Sequence, residues 1–280
     1  MTRPIWLDIT RLAERAAFGQ LTGIDRVELA YAQTLRRLVP DRLRFVMLHR
    51  WQSRFVDLPP GAVLPFLCDL AQAWSVGQRD DRLGYLRGAS CRRAALHLLA
   101  RTAAGLPWAV PRCPPIYLLT SHRHLHRQAA LAGALRRSGA AFVPLVHDLI
   151  PLTHPEYARP GEAERHARRI ETVAALADAV IVNSAATAQI LAPHLSLHLS
   201  TPCPIHIAPL GVTPAPADVE PGRSGDRPYF LCVGTIEPRK NHLLLLHLWR
   251  RLAERLGGQA PRLVIVGARG WENENVLDLL

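Results

Sequence analysis

Short apolar runs alternate with longer stretches of helical spacing along the chain. The runs are Ile5–Ile9, Leu43–Leu48, Ile116–Leu119, Phe142–Val146, Ala179–Val182, Ile205–Ala208, Tyr229–Val233 and Leu263–Val266. Several are unbroken in Val, Ile and Leu, as strands covered on both faces require, and each is predicted to be a strand. Between them the spacing predicts helices at about Gly23–Leu38, His124–Ser138, Ala163–Leu176, Ala185–Leu191 and Asn241–Leu256. In the first helix Val27, Ala30, Tyr31, Thr34, Leu35 and Leu38 fall on the expected buried face. Alternation of strand and helix is the pattern of an α/β protein with a mainly parallel sheet and helices on both sides.

One segment breaks the alternation. Thr213–Pro228 holds four prolines and two glycines without any period, and reads as a linker. A new strand–helix–strand unit starts directly after it. The expected organisation is a first domain over 1–212, a linker over 213–228 and the start of a second domain over 229–280. The second part holds too few residues for a complete α/β domain and ends inside an apparent helix, Glu272–Leu280, so the chain is expected to be truncated. Leu58–Gly77 and Gly105–Pro115 read as loops.

Composition narrows the function classes. Of 280 residues, 49% are apolar and 20% charged, which excludes a disordered chain. Lys and Arg number 34 against 23 Asp and Glu, a formal charge of +11 that favours anionic partners: nucleotide phosphates, nucleic acid or an acidic membrane face. The basic pairs Arg36-Arg37, Arg92-Arg93, Arg136-Arg137, Arg168-Arg169 and Arg250-Arg251 lie on helical stretches without interleaved aromatics, so nucleic acid is not the expected partner. Five scattered cysteines, never spaced as CxxC, argue for a reducing compartment and against a zinc knuckle. The longest stretch free of charge, Ala179–Ala217, carries six prolines and cannot span a membrane as a helix. Asp8 comes too early for a signal-peptide core. A cytoplasmic protein is expected.

Four places carry candidate chemistry. In YFLCVGTIEPRKNHLLLLHLWRRL, Tyr229–Leu252, a buried strand ends at Gly234 and Thr235, and a tight loop presents Arg239 and Lys240 before a helix that Asn241 can cap. Two cations beside a helix N-terminus suit a phosphate, which Arg grips through two hydrogen bonds. The same residues allow a plain solvated turn in which Arg239 pairs with Glu237. In VPLVHDLIPLTHPEY, Val143–Tyr157, a strand delivers His147 and Asp148 to its carboxyl end, where a histidine can exchange a proton with a bound hydroxyl. A His–Asp pair that merely caps the loop fits equally. Gly23 and Arg26 open the helix over 23–38, where a backbone without Cβ and a helix N-terminus allow close approach of an anion. Gly267, in VGARGW, sits in a second turn after a strand, which reads either as a loop beside a nucleotide or as a plain turn. Ser121–His126 offers three histidines, but no cysteine or carboxylate close in sequence completes a metal site, and none is expected.

The series TGIDRVELAYA (Thr22–Ala32), VHDLIPLTHPEY (Val146–Tyr157), ADAVIVNSAAT (Ala177–Thr187), APLGV (Ala208–Val212) and FLCVGTIEPRKNH (Phe230–His242) resembles family 4 glycosyltransferases, in particular the bacterial mannosyltransferase-like branch of surface-polysaccharide synthesis. The resemblance implies the GT-B architecture of two Rossmann-like domains, with acceptor handled by the first, nucleotide-sugar by the second and the active site between them. It makes Arg239 and Lys240 the diphosphate clamp, Gly23 a glycine near the donor phosphates and His147 the histidine beside the transferred sugar. No metal or cofactor is implied; the donor would be GDP-mannose or another nucleotide-diphosphate sugar, and the acceptor a lipid-linked saccharide at the anionic inner membrane surface. Two departures stand out. Many relatives carry Arg where this chain has Thr235, and the family's paired glutamates, seven residues apart, would lie beyond Leu280. A truncated, inactive binding module docking at anionic membrane is the alternative.

Overall fold

The computed structural model describes residues 2–18, 21–49, 51–76, 81–103, 113–196, 202–212 and 228–280, with backbone only over 74–76 and 81–87. The predicted linker lies almost wholly outside them, as does most of Gly105–Pro115. Two compact units emerge: Met1–Leu152 with Glu164–Leu210, and Thr153–Ala163 with Gly211–Leu280.

The first unit is built on seven strands: β1 (Ile5–Asp8), β2 (Leu43–Leu48), β3 (Phe55–Leu58), β4 (Ile116–Leu119), β5 (Ala141–Val146), β6 (Val180–Val182) and β7 (Ile205–Ile207). Their order is β3-β2-β1-β4-β5-β6-β7, parallel throughout except for β3, which pairs antiparallel with β2. The helices are α1 (Thr10–Phe18), α2 (Gly23–Leu38), α3 (Pro60–Val76), α4 (Asp81–Ala103), α5 (Gln128–Ser138), α6 (Ile150–Thr153), α7 (Glu162–Leu176) and α8 (Ala185–Ser196). Neighbouring strand residues feed opposite cores, as pleating demands. Leu7, Phe45, Met47 and Leu118 pack with residues of α1 to α4. Trp6, Val46, Leu48, Tyr117 and Leu119 pack with residues of α5, α7 and α8. Both faces are therefore covered, and the unbroken apolar runs have their reason.

Two expectations are corrected. Leu58–Gly77 is no loop: it is mostly α3, whose Val63, Phe66, Leu67 and Leu70 form a buried helical stripe. The inward face of α2 is also rotated from the expected one. Asp25, Glu28, Leu29 and Ala32 are buried, while Ala30, Thr34 and Leu38 are exposed.

The second unit pairs β8 (Tyr229–Val233) and β9 (Arg262–Val266) in parallel, joined through α9 (His242–Leu256), and ends with the short α10 (Glu274–Leu277). Phe230 meets the Trp249 ring of α9 edge-on at 5.4 Å. The other face, with Leu231, Val233 and Val266, is exposed. The helix expected over Glu272–Leu280 is reduced to α10. No helix among the described residues is long and apolar enough to cross a membrane.

Candidate active site

In the first unit the chain leaves β1 toward β2 on one side, then returns to place β4 on the other. Between β1 and β4 lies the point where strand order reverses, the place where open α/β sheets hold ligands at the carboxyl ends. Polar side chains crowd this edge. Asp8 ends β1 and is fully buried; its Oδ2 accepts from the Tyr117 hydroxyl of β4 at 2.9 Å, and its Oδ1 accepts from the Thr10 amide at 2.8 Å. His124 Nε2 stands 3.5 Å from Asp8 Oδ2, at ion-pair range. Burial pushes the Asp8 carboxyl up, but His124 and the Thr10 groups together outweigh it and hold it below the ordinary range.

The N-terminus of α1 is satisfied by the protein itself. Besides Asp8 on Thr10, Glu28 Oε1 reaches from α2 to accept the Leu12 amide at 3.2 Å. Glu28 is fully buried, and burial, then the charge of Asp8, raise its pKa well above the usual glutamate value despite Arg11 and the Leu12 amide. Asp25, also fully buried, binds Arg11 Nε at 2.8 Å and takes the Thr22 amide at 2.6 Å, so one carboxylate ties α1 to the first turn of α2. Gly23 begins that turn. A Cβ there would meet nothing within 4 Å and its φ is not positive, so the described residues do not themselves require glycine. Arg26 is exposed and has no ion pair among the described residues.

Three histidines converge beyond β4 and β5. His147 follows β5 and is buried; its Nε2–H donates to the Thr120 carbonyl at 2.9 Å. Buried His166 of α7 donates from Nε2 to the Asp148 carbonyl at 3.1 Å. His122 stands perpendicular to both rings, with centroids 5.5 Å from each. Its pKa is driven well below the ordinary histidine value by burial first, then by His147, His166, Arg169 and Arg11. His147 is lowered by burial too, against the pull of the Thr120 carbonyl and Asp148.

These contacts revise the sequence picture. The expected His147–Asp148 partnership does not form through the carboxylate: Asp148 Oδ1 accepts the Ile150 amide at 3.1 Å and caps α6, while a backbone carbonyl orients the imidazole. Of the histidines over 121–126, set aside for want of carboxylates close in sequence, His124 does meet Asp8 and His122 meets the other two histidines, while Glu14 is taken by Arg123. No cluster among the described residues has the makings of a metal site.

In the second unit Arg239 is exposed and paired with Glu237, as the plain-turn reading supposed. Lys240 is exposed, and its Cε lies 4.0 Å from where a Cβ on Gly234 would stand. Asn241 does not cap α9 through its side chain; it takes a left-handed backbone with φ of 51°. Thr235 is exposed on the loop after β8. Gly267 has a structural reason of its own. Its Cβ would lie 1.8 Å from the Gly234 carbonyl oxygen, because the loops after β8 and β9 stay zipped through Gly234 N–H to Val266 O and Ile236 N–H to Ala268 O, both 2.9 Å.

With this arrangement in view, comparison with known proteins gives one consistent direction. Three curated relatives, each a serotype-specific mannosyltransferase WbdA of Escherichia coli, match this chain: two are 27% identical over 167 residues and one 26% identical over 162. The likeness is to glycosyltransferases. Each match takes in 52% of this chain but only 20%, 19% and 20% of the relative, so the chain spans about a fifth of their length. No family model and no solved structure matches.

Proposed function

We propose that this chain serves a retaining glycosyltransferase that moves a hexose, mannose from GDP-mannose, onto a lipid-linked saccharide of a surface polysaccharide. The observation that carries it is the polar edge at the reversal point of the first sheet, with neutral His147 at its centre, in a chain similar to mannosyltransferases. The acceptor hydroxyl attacks the anomeric carbon as the bond from that carbon to the phosphate oxygen breaks. The hydroxyl proton passes to the leaving phosphate on the same face, which preserves configuration. Arg239 exchanges Glu237 for the diphosphate, Lys240 adds a point charge, and the amides of Thr235 and Gly267 lie on the same loops, the Gly234 amide being held by the Val266 carbonyl. Stabilisation of this kind is worth about 2.7–4 kcal/mol for each well-aimed donor in other enzymes. The scheme uses no metal and no cofactor. The net charge of +11 suits an acceptor held at the anionic inner face of the membrane.

Calorimetric titration of GDP, UDP and dTDP against the protein tests the donor site. GDP is expected to bind tightest, and Arg239→Ala with Lys240→Ala to abolish the difference. Equal affinity of that double variant and the parent for GDP removes the clamp. Adsorption to anionic vesicles without any nucleotide binding favours the inactive docking module instead.

A further inference from the structure

The Thr120 carbonyl has no hydrogen to give, so the proton of the 2.9 Å contact must sit on His147 Nε2. The ring then keeps Nδ1 as its acceptor, and no described residue donates to that atom. The Asp148 carbonyl fixes His166 in the same tautomer by the same logic. His122 fills the angle between these two anchored rings, perpendicular to each, with its own Nε2 buried and without a hydrogen-bond partner among the described residues. We infer that His122 is a positioning residue for His147: itself braced against His166, it buttresses the ring whose Nε2–H the Thr120 carbonyl holds, leaving Nδ1 to accept from a hydroxyl of a bound saccharide.

Only a neutral imidazole can accept a hydrogen bond from a hydroxyl, so whatever excludes a cation here keeps Nδ1 able to orient the saccharide. The charged and titratable groups around the rings act in that sense. His122 faces His147, His166 and Arg169 of α7 and Arg11 of α1; His147 faces Arg11 as well, with Asp148 alone pulling the other way. A proton on any one ring would add to this positive field, where burial already disfavours charge. The role of Nδ1 toward the saccharide rests on the transferase reading; the tautomer and the protonation of His147 do not.

The experiment is nitrogen NMR of the full chain labelled in histidine, with His147→Gln to assign the ring. In the parent, His147 is expected as the Nε2–H tautomer, still neutral when the pH falls through the ordinary histidine value of about 6.5. In His122→Ala it should titrate near that value, and the acid limb of kcat/KM for mannosyl transfer should rise with it while donor KM stays unchanged. His122→Gln, which keeps a neutral amide near the Nε2 position, should restore the parent behaviour. An Nδ1–H tautomer in the parent, or an unmoved His147 midpoint in His122→Ala, overturns the inference. Should His122→Ala fail to fold, the parent tautomer and the His122→Gln titration decide. Correct NMR behaviour without any transfer refutes the transferase reading and leaves the positioning role standing.

Discussion

Glu28 holds a proton that an ordinary glutamate would have lost, because burial and Asp8 outweigh Arg11 and the Leu12 amide. Its folded pKa is raised, so the fold binds this proton more tightly than the unfolded chain does. That contribution to stability is complete below the usual value of 4.5 and is lost as pH rises through the folded value. Glu28→Gln copies the protonated form and removes the loss. Urea midpoints of variant and parent should therefore diverge in the variant's favour as pH rises above the usual value of 4.5; parallel curves would mean that Glu28 is ionised. Gly23 permits a cleaner separation of fold from function. With open space around its Cβ position, Gly23→Ala should leave stability unchanged or raise it by up to about 1 kcal/mol, read as an unmoved or slightly higher melting temperature. Weaker GDP binding in the same variant would then report close approach of a ligand, and unchanged binding would end the role proposed for this glycine. His147 was legible from its place at a strand end. His122 and His166 were not, because they lie 25 and 19 residues away in sequence and only the crossover through α7 gathers them.

At the scale of elements, most strands were legible because a sheet covered on both faces needs continuous apolar runs, and few other structures do. β3 was missed since Asp57 interrupts a run of only four residues at the sheet edge, and α3 since Pro60, Gly61 and Pro65 read as breaks. Pro60 in fact takes the first helical position, where its missing N–H costs nothing. The buried stripe from Val63 to Leu70 was the signal available. On α2 the error had a different origin: an apolar criterion passed over Asp25 and Glu28, although their spacing with Leu29 and Ala32 is that of one helical face. Asp25→Ala tests what that face does. It strips the buried partner from Arg11 and the acceptor from the Thr22 amide, and breaking such a buried pair costs about 3–5 kcal/mol. Chemical denaturation followed by hydrogen exchange on β1 should show the loss in the first unit. In the second unit, Gly267→Ala drives a methyl into the Gly234 carbonyl, a clash that side-chain motion cannot relieve. A cost of about 3 kcal/mol or more is expected, seen as faster exchange of the β8 and β9 amides, whatever the nucleotide.

Over the whole molecule the titrating groups act in opposite directions, and their windows set where the fold is firmest. His122 and His147 are both lowered, chiefly by burial, so below the ordinary histidine value of 6.5 the unfolded chain takes up protons that the folded chain refuses. The slope of stability with pH is then positive across that window, and the first unit loses stability as pH falls through it. Asp8, lowered below 3.8 by His124 and the Thr10 groups, extends the loss further into acid. Glu28 opposes both from the alkaline side. The remaining net charge of +11 is spread over exposed arginines and governs partners more than fold. Amide exchange of the β4 and β5 strands, measured at about pH 7.5 and about pH 5.5 and corrected for intrinsic rates, should reveal markedly weaker protection at the lower pH, with β8 and β9 much less affected. The double variant His122→Gln, His147→Gln should flatten that difference, since amides do not titrate. An acid loss that survives both substitutions would assign the sensitivity to groups other than these two histidines, Asp8 first among them.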